Sequence, residues 1–143
     1  MLSKTCEYAI RAMIFIAKKS SEGQRTGIKE IAKGINSPEH FIAKILQELS
    51  KRNLVDSFKG PNGGFFLNES SSCTLADIVL AIDGDNIFSG CALGLDYCSE
   101  TRPCPIHAQF KVIREEISQM LHQTKITQFN EQLNQSLAYL KQN

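Results

Sequence analysis

Three cysteines and a histidine fall within CALGLDYCSETRPCPIH, residues 91–107, while Cys6 and Cys73 are the other two cysteines of the chain. Cys91, Cys98 and Cys104 form a C-x6-C-x5-C array, and His107 follows three residues later. Zinc knuckles and ribbons pair their cysteines as C-x2–4-C, a spacing this array lacks. Wider gaps on a loop suit a larger object, an iron–sulfur cluster, whose iron corners each need a thiolate or a substitute such as imidazole. Pro105 at a first helical position would put the Cys104 thiol at a helix N-terminus, where the dipole favours the thiolate that metals bind. Three thiolates leave a fourth corner for His107, for Glu7 or Cys6 from the first helix of this or a second subunit, or for a small molecule. Incomplete thiolate ligation opens an iron to exchange and to gases, a liability in an electron carrier and an asset in a sensor. A structural zinc and a thiol redox switch are the alternatives. His107 can also be read as a helix-end histidine. Cys6 and Cys73, isolated in apolar and linker contexts, read as structural, and His40 and His122 as surface residues.

The elements around this loop read as mainly α. From Ser3 to about Lys19, Cys6, Ala9, Ile10, Met13, Ile14 and Ala17 make one apolar stripe, and Tyr8, Ala12, Phe15 and Ile16 a second, so this helix should pack on two faces. Thr26 or Gly27 opens a short helix that Gly34 is expected to stop. Ser37 fits an N-cap and Pro38 a first helical position for the helix in SPEHFIAKILQELSKRN. LVDSFKGPNGGFFL reads as a hairpin with its tip near Pro61–Gly64. Thr74 and Asp77 are spaced as a capping box for TLADIVLAID. Residues 84–104 show no periodicity, and an aperiodic segment of that length is usually functional. Beyond Pro105, Ile106, Phe110, Ile113, Ile117 and Met120 form a heptad-like seam. The closing ITQFNEQLNQSLAYLKQN puts Phe129, Leu133, Leu137 and Leu140 on one side of a last helix.

Two helices, a short turn and a hairpin make a winged helix-turn-helix, whose second helix enters the major groove of DNA. Ser37, Glu39 and His40 would meet base edges or phosphates at its start. Glu39 can accept from cytosine, Gln47 can read adenine, and Lys44 and Lys51 can reach phosphate. Lys59 and Asn62 would bring the wing to the neighbouring backbone or minor groove. Charge agrees: residues 1–66 hold 11 Lys/Arg against 6 Asp/Glu, and residues 67–143 hold 5 against 9, so the front half is the end suited to a polyanion.

Composition excludes other classes. A hydrophobic fraction of 42% fits a folded globular chain, and no apolar run reaches the ~18 residues of a membrane span. AIRAMIFIA is preceded by Glu7 and interrupted by Arg11, so it reads as a first helix that stays on the protein rather than a signal peptide, and the location as cytoplasmic. GPNGG matches neither a phosphate loop nor a dinucleotide fingerprint, and an enzyme is the least supported class.

EYAIRAMIFIA, SPEHFIAKILQEL, NLVDSFKGPNGGFFL and CALGLDYCSETRPCPIH together resemble the Rrf-two family of bacterial regulators of the IscR and NsrR type, in the right order over nearly the whole chain. The resemblance implies a dimeric winged-helix repressor or activator whose long rear helix crosses its partner, with a cluster on Cys91, Cys98 and Cys104. It implies a fourth ligand that varies among members, corresponding to His107 or to Glu7 of the partner's first helix. Where many relatives carry arginine before the glycine-rich tip, this chain has Lys59, a more strongly hydrated point charge.

The reading is therefore a winged helix-turn-helix over residues 1–68, followed by a cluster-binding loop and dimerisation helices over 69–143, one continuous domain being an alternative division. The expected function is a homodimeric transcriptional regulator, read first as a repressor, whose affinity for double-stranded operator DNA follows a 2Fe-2S or 4Fe-4S cluster responsive to redox state, nitric oxide or iron–sulfur status. Neither a membrane nor a small organic substrate is expected. A small iron–sulfur electron carrier is the remaining rival, and it leaves the wing and the basic front half without purpose.

Overall fold

In the computed structural model, which describes residues 1–130 and Leu140, the first helix runs over Lys4–Ser21 (α1). The Ser3 hydroxyl caps it by accepting from the Cys6 N–H at 3.0 Å. Both expected faces are used: Cys6, Ala9 and Met13 are buried, and so are Ala12, Phe15 and Ile16. This makes α1 the hub against which much of the chain packs.

The second helix spans Ile28–Ile35 (α2), and its end corrects the expectation for Gly34. Asn36 supplies the left-handed turn, at φ 55°, while Gly34 lies inside the helix. A Cβ there would sit 2.2 Å from Phe15 Cε2, so the glycine serves the close approach of α2 to α1. Ser37 is also corrected. Its N–H closes the end of α2 on the Ala32 carbonyl at 2.9 Å, its hydroxyl caps nothing, and Pro38 occupies the N-cap of the third helix, Glu39–Lys51 (α3). The proline ring holds the preceding residue out of the helical region.

Strands Asp56–Phe58 (β1) and Gly64–Phe66 (β2) pair antiparallel around a turn closed by Gly63 N–H to Gly60 O at 2.9 Å, where the hairpin was expected. Thr26 adds a bridge on the open edge of β2: Thr26 and Phe65 exchange both backbone hydrogen bonds, at 3.0 and 2.8 Å. The approach is close enough that a Cβ on Gly64 would lie 2.9 Å from the Thr26 carbonyl, and Gly64 has φ +131°.

The fourth helix, Leu75–Ile82 (α4), starts on the expected capping box, Thr74 N–H to Asp77 at 2.9 Å and Asp77 N–H to Thr74 Oγ1 at 3.2 Å. A single turn, Asn86–Ser89 (α5), interrupts the aperiodic segment; it is too short to show a period. The next helix begins at His107 and ends at Gln123 (α6), with Ile106 at its N-cap. Pro105 therefore does not open it, and Cys104 stands outside its first turn. Ile126–Phe129 form a 3-10 turn rather than the start of the expected last helix. Leu133 and Leu137 lie outside the described residues, and Leu140 packs on the core. Backbone bonds from Leu75 N–H to Thr124 O (2.9 Å) and from Ile126 N–H to Cys73 O (3.0 Å) tie the two ends of this rear unit together.

One core joins the front helices to the rear: Ile16, Ile31, Leu46 and Leu49 pack with Cys73, Ile78 and Ile126. A smaller cluster of Cys6, Ala76, Val79 and Leu121 links α1, α4 and α6. No helix among the described residues is long and apolar enough to cross a membrane. Burial pushes the Cys6 and Cys73 thiols from an ordinary 9.0 up to about 12; nearby Asp83 and Glu7 add to the effect at Cys6, and Asp77 at Cys73.

Two outcomes follow from this packing. Gly34→Ala should lower stability by about 1–3 kcal/mol through overpacking against Phe15, read as a lower urea midpoint. Because the unfolded chain releases the Cys6 and Cys73 protons before the native one does, their contribution is complete below pH 9 and falls as pH rises from 9 toward 12. Urea midpoints measured from pH 7 to 11 should decline, less steeply in Cys73→Ala; equal slopes would contradict the burial argument.

Candidate nucleic-acid interface and cysteine site

α3 buries Ile42, Ile45, Leu46 and Leu49 and leaves Glu39, His40, Lys44, Gln47 and Lys51 exposed. Lys44, Gln47 and Lys51 share with Ser57 and Lys59 one groove of about 630 Å³ between α3 and the wing. Glu39 and His40 border a second hollow with Gly27 and Lys29 at the start of α2. Asn62 is exposed at the wing tip, and Ser37 is half-buried in the turn before α3. The structure thus brings seven of the eight expected residues to two adjoining hollows and the wing tip, with Ser37 engaged through its backbone instead.

The charges are arranged to match. Lys4, Lys18, Lys19, Arg52 and Lys111 pair with carboxylates. Lys29, Lys44, Lys51 and Lys59 enter no ion pair among the described residues. Cations without carboxylate partners on one face leave a positive field directed outward. The sequence reading missed Lys29 and also Arg25, whose guanidinium lies 3.7 Å over the Phe58 ring of the wing. Arg25 is distant from the wing in sequence, and only the Thr26–Phe65 bridge brings it there.

At the other end, four donors meet in two contacts. The Cys98 Sγ lies 3.2 Å from His107 Nδ1, and Cys104 stands near enough to Cys91 to favour its ionised form. Backbone N–H groups of Leu93 and Leu95, with lesser help from Cys104 and Gly94, hold the Cys91 thiol below its ordinary range. Gly94, at φ +75°, turns the chain back on Cys91, its N–H donating to the Cys91 carbonyl at 3.1 Å, and so keeps the amides of this turn beside the thiol. The helix-end argument for Cys104 gives way to this one: it is the Cys91 thiol whose acidity the backbone raises.

His107 is buried, 8% exposed, at the first position of α6. Its Nε2 lies 3.3 Å from Glu100 Oε2 without hydrogen-bond geometry, an electrostatic contact, and Glu100 is itself held by Lys111. Lys111 and His107 draw the Glu100 carboxyl below its usual range. Arg114 donates to the Gly90 carbonyl at 2.9 Å, fixing the chain just before Cys91 to α6. The sequence reading missed Glu100, Lys111 and Arg114; the one available signal was that Glu100 lies within the cysteine array and the other two follow it closely. Glu7 pairs with Lys4 at 3.4 Å, and no hydrogen bond or ion pair joins it to Cys91, Cys98 or Cys104 among the described residues. Cys6 is buried, with its thiolate disfavoured, and is no candidate ligand.

Among the described residues, no three His, Cys, Asp or Glu side chains converge as a single-ion site. The donor set suits a larger group: three half-exposed thiols, one beside the amides of its own turn, and an imidazole whose Nδ1 faces the same loop. On α6, Val112, Ile113 and Met120 are exposed, as is Ile106 at its N-cap, whereas Ile117 packs toward α4 and so stands on the inner flank of the expected seam.

A family model for an iron-dependent transcriptional regulator, Rrf2, matches residues 2–132. The chain is 29% identical over 124 residues to the HTH-type transcriptional regulator NsrR of Oceanobacillus iheyensis, covering 80% of this chain and 84% of that protein. It is 26% identical over 121 residues to the HTH-type transcriptional regulator IscR of Photorhabdus laumondii, covering 84% and 73%. The solved structure of CymR, the global cysteine regulator of B. subtilis, superposes with a TM-score of 0.75 at 25% identity, over 92% of this chain and 97% of that one.

The two thiol environments set an expected reactivity. A maleimide at pH 7 should label Cys91, Cys98 and Cys104 in the native, metal-free protein, Cys91 fastest, and reach Cys6 and Cys73 only after denaturation. Mass spectrometry of labelled peptides checks this; native labelling of Cys6 or Cys73 would contradict it.

Proposed function

This chain belongs to the Rrf2 family of transcriptional regulators, and on that premise we propose that it is a homodimeric, cytoplasmic repressor whose operator affinity is set by an iron–sulfur cluster. Residues 1–68 form the DNA-binding region and 69–143 the cluster-binding and dimerisation region. The observation that carries the cluster reading is the meeting of four donors, Cys91 with Cys104 and Cys98 with His107, on one loop clamped to α6. When bound, a 2Fe-2S or 4Fe-4S cluster supplies iron bonds that oxidation or nitric oxide can break.

This chain's own residues do the rest. The amides of Leu93 and Leu95 favour the Cys91 thiolate, and the His107 ring is held between Cys98 and Glu100 with Nδ1 toward the thiols. Glu7 of a second subunit is the alternative fourth ligand. The ordered loop leaves the end of α4, and α4 packs on α1, α3 and α6, so loop order reaches the reading helix through direct packing. The exposed apolar residues of α6 bury against a second copy, and the two α3 helices then address half-sites about one turn of DNA apart. Lys44, Gln47 and Lys51 enter the major groove, Glu39 and His40 face its edge, and Lys59 and Asn62 lie along the flanking backbone.

A second reading draws on the same 3.2 Å Cys98–His107 contact: a thiol switch without iron, in a fold shared with a cysteine regulator. One experiment separates them. Protein purified without oxygen should be coloured, contain iron and sulfide, and change its affinity for operator-length DNA when the cluster is removed. A colourless product with zinc moves the assignment to a structural metal, and one whose DNA affinity follows thiol oxidation alone moves it to the switch. Lys59→Glu should weaken binding to all sequences and reduce the salt slope by about 1 or more; unchanged binding argues against a wing contact.

A further inference from the structure

Arg25 belongs to neither the reading helix nor the hairpin, yet the fold delivers it to the wing. Thr26, fully buried, is bridged to Phe65 by two backbone hydrogen bonds, and the absence of a side chain at Gly64 lets the two backbones approach. The neighbouring Arg25 guanidinium carbon consequently lies 3.7 Å over the centre of the Phe58 ring, and its Nη1 donates to the Asn62 carbonyl at the hairpin tip at 3.3 Å. One face of the guanidinium is covered by the ring and one N–H is committed to the backbone. The other N–H groups remain available beside Lys59 and Asn62, and Arg25 enters no ion pair among the described residues.

We infer that Arg25 is a DNA-contacting residue of the wing, presenting a planar cation to an A·T-rich minor groove that flanks each half-site. The inference rests on the DNA-binding reading above and extends it to a residue outside the helix and hairpin. Three features make this ligand the fitting one. A guanidinium is less strongly hydrated than the ammonium of Lys59 and so loses less on entering a narrow groove. The stack on Phe58 and the bond to Asn62 restrict its conformers before DNA arrives, which lowers the entropy lost on binding. Narrow A·T minor grooves carry an enhanced negative potential that favours such a cation, whereas the exocyclic amine of a G·C pair obstructs it.

The test uses the full chain and a duplex selected from a random pool, resynthesised with A·T or G·C pairs on its outer flanks. Wild type should prefer the A·T-flanked duplex by about tenfold. Arg25→Ala should abolish that preference, weakening binding to the A·T-flanked duplex about tenfold more than to the G·C-flanked one, with the thermal unfolding midpoint unchanged. Arg25→Lys keeps the charge and should also lose the preference. An A·T preference that survives in both variants, or an equal loss on both duplexes, would overturn the inference, the latter making Arg25 a phosphate contact or a scaffold residue. A wild-type protein for which selection yields no preferred duplex would overturn the DNA-binding reading itself.

Discussion

Asp83 caps the end of α4, and its carboxylate accepts from both the N–H and the hydroxyl of Ser3, the residue that caps α1. The cysteine loop begins one residue later, so its departure point is tied to the first turn of the central helix. α1 in turn contacts α2, α3, α4 and β2. This joint adds to the direct packing of α4 on α1, α3 and α6 a polar tie at the point where residues 84–104 depart. With it, a change in the loop meets the elements that carry the DNA-facing side chains. Arg114 on Gly90 holds the middle of the loop to α6, and Lys111 on Glu100 and His107 on Cys98 hold its far part to the same helix.

What was legible in the sequence was local. The Thr74–Asp77 box and the Ser3 cap are decided by residues three apart, and both formed as read. The two apolar faces of α1 were legible because each buries large side chains at helical spacing. The misreadings share one cause, a tertiary or backbone demand that overrode a local preference. Gly34 looks like a helix stop until the Phe15 ring is placed against it, and the turn needed there falls to Asn36. Ser37 has the chemistry of a cap, but its N–H is spent on Ala32 and Pro38 takes the position. Pro105 suits a first helical turn, yet α6 waits for His107.

The site was half legible for the same reason. Residue types marked the candidate donors and the candidate reading helix, since cysteine spacing and an exposed polar helix face are both sequence properties. The supporting groups were not announced. Arg25 reaches Phe58 only through the Thr26–Phe65 bridge, and Glu100 acquires its meaning from Lys111 and His107 across a turn. The distribution of ion pairs has this character too. A count of lysines cannot separate Lys19, which faces Glu30, from Lys44 and Lys59, which face a groove.

The five cysteines make the general point sharply. Two are withdrawn from chemistry because ionising them would place charge among apolar side chains and near carboxylates, and both thiols rise to about 12. Cys91 is moved the other way by amides that the chain can aim only because Gly94 adopts a left-handed turn. Desolvation and hydrogen bonding act in opposite senses on the same functional group, and the fold uses each where it serves. A thiolate favoured by fixed backbone dipoles needs no neighbouring cation to sustain it. In residues 84–104 the Glu100–Lys111 pair stands beside His107 rather than Cys91, so the groups that favour the Cys91 thiolate are peptide dipoles.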